Sequence, residues 1–64
     1  MNYGIRIKQI RENAGMTQAE LSEKSGITQE HISRIEHGKF TPNVKTADMI
    51  AKALSVTLMD ILGE

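Results

Sequence analysis

Apolar residues recur along this chain at helical spacing, and nowhere do they alternate as a strand requires. Five helices are the natural reading. The first is predicted from about Gly4 to Asn13, with Ile7, Ile10 and Ala14 on one face and Gly15 as a left-handed terminator. Two short helices follow, joined at Gly26. Thr17 with Glu20 three residues on forms a capping box for the second helix, and Thr28 can cap the third. Leu21, Ile27, Ile32 and Ile35 are the apolar positions of this pair, and Gly38 closes it. The loop Thr41-Pro42-Asn43 hands over to a fourth helix capped by Asn43, with Ala47, Ile50, Ala51 and Leu54 as its buried stripe. A last helical turn starts at Thr57, with Asp60 completing a second capping box and Leu58, Ile61 and Leu62 as its apolar residues. With no repeat, linker or low-complexity tract, residues 1–64 read as a single all-α domain.

The most informative stretch is Thr17–Glu36. Ile32 and Ile35, three apart, give the third helix one buried edge, which leaves Gln29, Glu30, Ser33 and Arg34 on the other side. A helix-turn-helix unit lays its second helix in the DNA major groove with its N-terminal residues against base edges. Gln29 suits adenine N6 and N7, and Glu30 suits cytosine N4. Arg34 can grip guanine O6 and N7 together or hold a phosphate.

From Gly4 to Leu62 the chain resembles the phage-repressor and Cro class of helix-turn-helix proteins, the Xre-type regulators. The resemblance rests on Arg6-Ile7-Lys8, Ile10-Arg11, Gly15-Met16-Thr17-Gln18, Leu21, Gly26-Ile27 and Ile32-Ser33-Arg34-Ile35-Glu36. It continues through Gly38-Lys39, Pro42, Ile50-Ala51-Lys52-Ala53-Leu54, Val56-Thr57-Leu58 and Ile61-Leu62. It implies a compact five-helix lambda-repressor-like domain that regulates transcription, as a repressor or an activator, by binding a palindromic operator in double-stranded DNA as a homodimer. The DNA-binding set it implies is Gln18, Thr28, Gln29, Glu30, Ser33, Arg34, Lys39, Thr41 and Asn43, with Lys45 a weaker candidate. Gln18, Lys39 and the loop after the third helix would meet the sugar-phosphate backbone. Phe40 would pack on a ribose or close the core. Arg11 and Glu36 stand where the family pairs an Arg of the first helix with a Glu closing the third. Ser22 replaces the usual Ala at the helix crossing, and Ser55 replaces a frequent Gly after the fourth helix. A left-handed Ser55 would carry strain of roughly 1 kcal/mol.

Composition sharpens this picture and complicates it. Sixty-four residues leave little space for a catalytic or ligand-sensing partner, and no nucleophile-base pair or phosphate loop is visible, so an enzyme is not expected. No cofactor is expected either. The chain has no cysteine, and His31 and His37 lie six apart on different faces, so no metal site is predicted. No signal peptide or membrane span is visible, which fits a cytoplasmic, nucleoid-associated protein of bacterial or phage origin. Ile5, Met49 and Met59 are candidates for scattered surface apolar residues. Val56, Leu58, Met59 and Leu62 form a candidate dimer face on a small domain. RNA polymerase or a second regulatory protein is the other class of partner. Antitoxin, restriction-modification controller and phage regulator are open sub-cases.

Eight Lys and Arg balance eight Asp and Glu, and the pI is near 6.7. DNA binders are usually basic, because phosphate contacts dominate affinity. Neutral charge, and a Glu30 that would repel phosphate, favour an alternative in which the same fold serves as a protein-interaction module; Gln18, Gln29, Ser33 and Arg34 favour DNA. The balance predicts a shallow salt dependence. With about three to four charged contacts per monomer, log K against log salt should fall with a slope of about −5 to −7 for the dimer. Binding titrations across a salt series check this, and a slope of about −10 or steeper would place more cations on the docking face than this reading allows.

Overall fold

The computed structural model describes residues 3–63, and all regular structure within them is helical. The elements are α1 (Tyr3–Asn13), α2 (Gln18–Ser25), α3 (Gln29–Glu36), α4 (Val44–Ala53) and α5 (Leu58–Leu62). Local chemistry fixes where each begins. The Thr17 hydroxyl accepts the Glu20 N–H at 3.1 Å while the Glu20 carboxylate accepts the Thr17 N–H at 2.9 Å. Thr57 and Asp60 repeat this box at α5. Thr28 caps α3 through the His31 N–H, and Asn43 caps α4 through the Thr46 N–H. Each cap satisfies a donor that the helix itself leaves unpaired, a contribution of about 1 kcal/mol per cap.

The helix ends are equally local. α1, α3 and α4 close in the same paired-bond turn, in which a left-handed residue lets two N–H groups reach back to the last carbonyls. At α1 the Met16 N–H reaches the Arg11 carbonyl at 3.1 Å and the Gly15 N–H reaches Glu12 at 3.0 Å. At α3 the bonds run from Lys39 to Arg34 and from Gly38 to Ile35, and at α4 from Val56 to Ala51 and from Ser55 to Lys52. The left-handed position is Gly15 in the first turn and Gly38 in the second, but Ser55 in the third, at φ 59°. Between α2 and α3, Ser22 Oγ donates to the Ile27 carbonyl and Ser25 Oγ accepts the Ile27 N–H, which binds the Gly26 turn on both sides.

α1 packs on α3 and α5, α2 on α3 and α4, and α4 on α5, so the helices wrap one core. Ile7, Leu21, Ile32, Ile35, Ile50 and Ile61 are fully buried at its centre, with Ala47, Ala51 and Leu54 beside them. Burying each large aliphatic side chain contributes about 1.5–3 kcal/mol, against total stabilities of about 5–15 kcal/mol for domains of this kind. The α4 stripe is the one its spacing predicts. In α1 the buried line is instead Gly4, Ile7 and Arg11, with Ile10 half-buried. Ala14 is exposed, because the helix ends at Asn13 and Ala14 turns out with the cap. Met49 is half-buried on α4 rather than exposed, whereas Ile5 and Met59 do lie about half exposed.

Ser55 generates a stability prediction. A non-glycine residue in the left-handed region costs about 1–2 kcal/mol, and the greater freedom of glycine in the unfolded chain returns part of that. Ser55→Gly should stabilise by about 0.5–1 kcal/mol, about 2–8 °C in Tm, and Ser55→Val should destabilise. Thermal unfolding followed by circular dichroism reads both; a lower Tm for the glycine variant would mean that Ser55 is not strained.

Candidate nucleic-acid interface

α3 has one edge in the core and one in solvent. Ile32, Ile35 and Glu36 are buried, whereas Gln29, Glu30 and Arg34 are exposed and Ser33 and His31 are half-buried. The burial of Glu36 is the unusual feature of that division, and two neighbours, Arg11 and Gln18, explain it. Arg11 Nε donates to Glu36 Oε2 at 2.8 Å and Arg11 Nη2 donates to Oε1 at 3.0 Å, a two-pronged pair across α1 and α3. Gln18 Nε2, from the first turn of α2, donates to Glu36 Oε1 at 3.0 Å. Arg11 Nη1 donates to the Met16 carbonyl at 2.7 Å in the α1–α2 connection. Burial alone would push the Glu36 carboxyl up. The hydrogen bonds from Arg11 and Gln18, with the positive charges of Arg11 and Lys8, outweigh it and hold the carboxyl below its ordinary range. The bond to Glu36 raises Arg11 in turn.

Outside this network the outer face of α3 carries a second, exposed ion pair. Arg34 Nη2 lies 2.8 Å from Glu30 Oε1, one helical turn apart. Glu30 therefore does not stand as an isolated negative charge; Arg34 offsets it. Sequence reading treated the two as separate contacts, although their i, i+4 spacing was the available signal. Gln29 is exposed in the first turn of α3, and its side chain bonds to none of the described residues. The Thr28 hydroxyl serves as the α3 cap. His37 Nδ1 lies 2.7 Å from the Ser33 carbonyl oxygen and 3.4 Å from Ser33 Oγ, so the ring covers the C-terminal end of the helix.

The loop after α3 carries Lys39, Phe40, Thr41 and Asn43, all exposed, and Lys45 is exposed just beyond. Asn43 Oδ1 is engaged as the α4 cap. Phe40 sets its ring edge against His31, with centroids 4.7 Å apart at 74°, and keeps 45% of its surface. It thereby ties the loop to α3 rather than closing the core. His31 Nε2 is buried there and has no hydrogen-bond partner among the described residues. The two histidines do not converge, and no group of three or more His, Cys, Asp or Glu among the described residues could hold a metal. In and just before α5, Val56, Leu58 and Leu62 are half-buried and Met59 is 52% exposed. Arg6 Nε donates to the Asp60 carbonyl at 2.7 Å and fastens α5 to α1, a contact that sequence reading missed.

Comparison with known proteins agrees with this geometry. Residues 7–61 match the helix-turn-helix family HTH_3. The whole chain is similar to an immunity repressor protein of Bacillus phage phi105, at 34% identity over 64 residues, and covers 44% of that protein. It is 38% identical over 56 residues to an uncharacterised HTH-type transcriptional regulator of Archaeoglobus fulgidus, which spans 88% of this chain and 80% of the relative. A crystal structure of an HTH_3 family transcriptional regulator from Vibrio cholerae superposes with a TM-score of 0.92 at 19% identity, over 97% of this chain and 35% of that one.

The buried network predicts strong coupling between Arg11 and Glu36. Removing either partner strands a buried charge, at a cost of about 3–5 kcal/mol, whereas replacing both with apolar groups is close to neutral. Arg11→Met should therefore destabilise sharply, and Arg11→Met with Glu36→Leu should recover most of the loss. Urea unfolding in a double-mutant cycle measures the coupling, and purely additive effects would reject it. Because the folded Glu36 carboxyl lies below its reference value of 4.5, its contribution is present above that pH and is lost as pH falls through the folded value. The double variant should accordingly lose less stability than the native chain between about pH 5 and pH 3.

Proposed function

The chain belongs to the HTH_3 helix-turn-helix family of DNA-binding transcriptional regulators, and on that premise we propose that it is a repressor that reads a palindromic operator as a homodimer. The observation that carries this reading is the polar outer face of α3, set on a helix whose far end is held by Glu36, Arg11 and Gln18. In the proposed complex α3 enters the major groove with Gln29 foremost against an adenine, and Ser33 and Arg34 follow one turn on. Gln18, Thr28, Lys39, Thr41 and Asn43 meet the sugar-phosphate backbone, aided by N–H groups at the starts of α2 and α4. Two copies joined through Val56, Leu58, Met59 and Leu62 would set their α3 helices about 34 Å apart, one turn of duplex. Similarity to a phage immunity repressor supports repression by occupation of promoter DNA. No helix among the described residues is long and apolar enough to cross a membrane, which agrees with action on DNA in the cytoplasm.

Selection of bound duplexes from a random pool tests the reading. Enrichment of a two-fold motif is expected, and Gln29→Ala should relax the preference at one A·T pair in each half-site by about 1–3 kcal/mol. A pool that yields no motif would favour a protein-interaction module. A motif that Gln29→Ala leaves unchanged would remove Gln29 from the reading face.

A further inference from the structure

The Glu30–Arg34 pair has no evident structural purpose. Both side chains are largely exposed, at 75% and 64%, and exposed pairs of this kind add little to stability. Its placement distinguishes it from the similar Asp48–Lys52 pair on α4, because it lies on the outer face of α3 beside Gln29. We infer that Glu30 and Arg34 act as one composite reader of a single G·C base pair; the inference rests on the DNA-reading function proposed above.

The argument is one of matched donors and acceptors. Glu30 Oε1 lies beside one end of the guanidinium, 2.8 Å from Arg34 Nη2, and of the five planar N–H donors of arginine the others remain to be offered beside that carboxylate. Read across the pair, the order is donor, donor, acceptor. The major-groove edge of G·C presents guanine N7 and O6, both acceptors, and then the cytosine N4–H donor. The two rows are complementary. An A·T pair presents acceptor, donor and acceptor, which sets a guanidinium N–H against adenine N6–H and the carboxylate against thymine O4. C·G presents its groups in the opposite order and mismatches at both ends. The carboxylate also cancels the guanidinium charge, so Arg34 gains little from a phosphate of arbitrary sequence. Glu30 is therefore a specificity-determining residue that acts both directly, on cytosine, and through Arg34.

The test starts from the duplex that the native protein selects and measures binding to variants carrying each base pair at each position. The native protein should prefer G·C at one position per half-site by roughly 5- to 150-fold. Glu30→Ala and Arg34→Ala should each flatten the preference at that same position, and the double variant should flatten it no further. Glu30→Ala should also bind unrelated duplexes more tightly and steepen the salt slope, as Arg34 becomes available to phosphate. Placing 7-deazaguanine at the position should weaken the native protein and leave Arg34→Ala unaffected. Both positions are exposed, so alanine does not disturb the core. If the two variants relax different positions, or if Glu30→Ala leaves every base preference intact, the composite reader is overturned while the regulator stands. If the native protein shows no base preference anywhere, both readings fall together.

Discussion

The orientation of α3 depends on one buried carboxylate. Glu36 closes α3 inside the core, where an unpaired charge would be unsupportable, and it is tolerated because Arg11 meets it with two donors and Gln18 with a third. Those contacts come from α1 and α2, and Arg11 extends the network to the connection between them through the Met16 carbonyl. Three helices thus share one set of hydrogen bonds. Aliphatic packing holds the domain together but is tolerant of small rotations, whereas a two-pronged guanidinium–carboxylate contact fixes an angle. The orientation of α3 against the rest of the molecule is therefore set electrostatically, and the isoleucines around it supply the bulk of the cohesion.

The outer face of the same helix obeys a different rule. There the charges are exposed, compensate each other locally and have little bearing on the fold. Buried pairing positions the helix; surface pairing shapes what it presents. The loop that follows is linked to α3 by the contact of Phe40 with His31, so the candidate backbone-binding residues are tied to that helix. The overall charge of zero is consistent with this division, since the Arg11–Glu36 and Arg34–Glu30 pairs each remove a positive and a negative charge from the account.

What was legible in the sequence was what depends on near neighbours. The four N-caps at Thr17, Thr28, Asn43 and Thr57 follow from residues three positions apart, and the α4 stripe follows from spacing alone. The left-handed Ser55 was legible only through the family resemblance, which implies a frequent glycine at that position. The α1 face was misread for a physical reason. Periodicity weighs apolar residues, and the line that enters the core contains Arg11, whose burial makes sense only with Glu36, twenty-five residues away. The family resemblance supplied the Arg11–Glu36 pair, but Gln18 bonding to Glu36 and Arg6 bonding to the Asp60 carbonyl span residues far apart in sequence and left no signal in spacing. Of the candidate site, the exposed face of α3 was readable from the Ile32–Ile35 edge; the pairing of Glu30 with Arg34 was readable too, from their i, i+4 spacing, but each was weighed only against DNA.

The tie between Gln18 and Glu36 has a thermodynamic side. A glutamine on a surface samples many rotamers, and fixing such a side chain at an interface costs about 0.5–1.5 kcal/mol. Here that ordering occurs when the chain folds, because Gln18 is already held by a carboxylate that is itself immobilised. Gln29, whose side chain bonds to none of the described residues, keeps its rotamer freedom in the free chain. In the proposed complex with DNA, the surface would be divided between a preorganised anchor and an adaptable reader. An anchor that is ready in advance lowers the entropic cost of every encounter, on any sequence, whereas a reader that must be ordered recovers its cost only where the base edge matches. A surface so divided would bind DNA loosely while it searches and tightly where it stops.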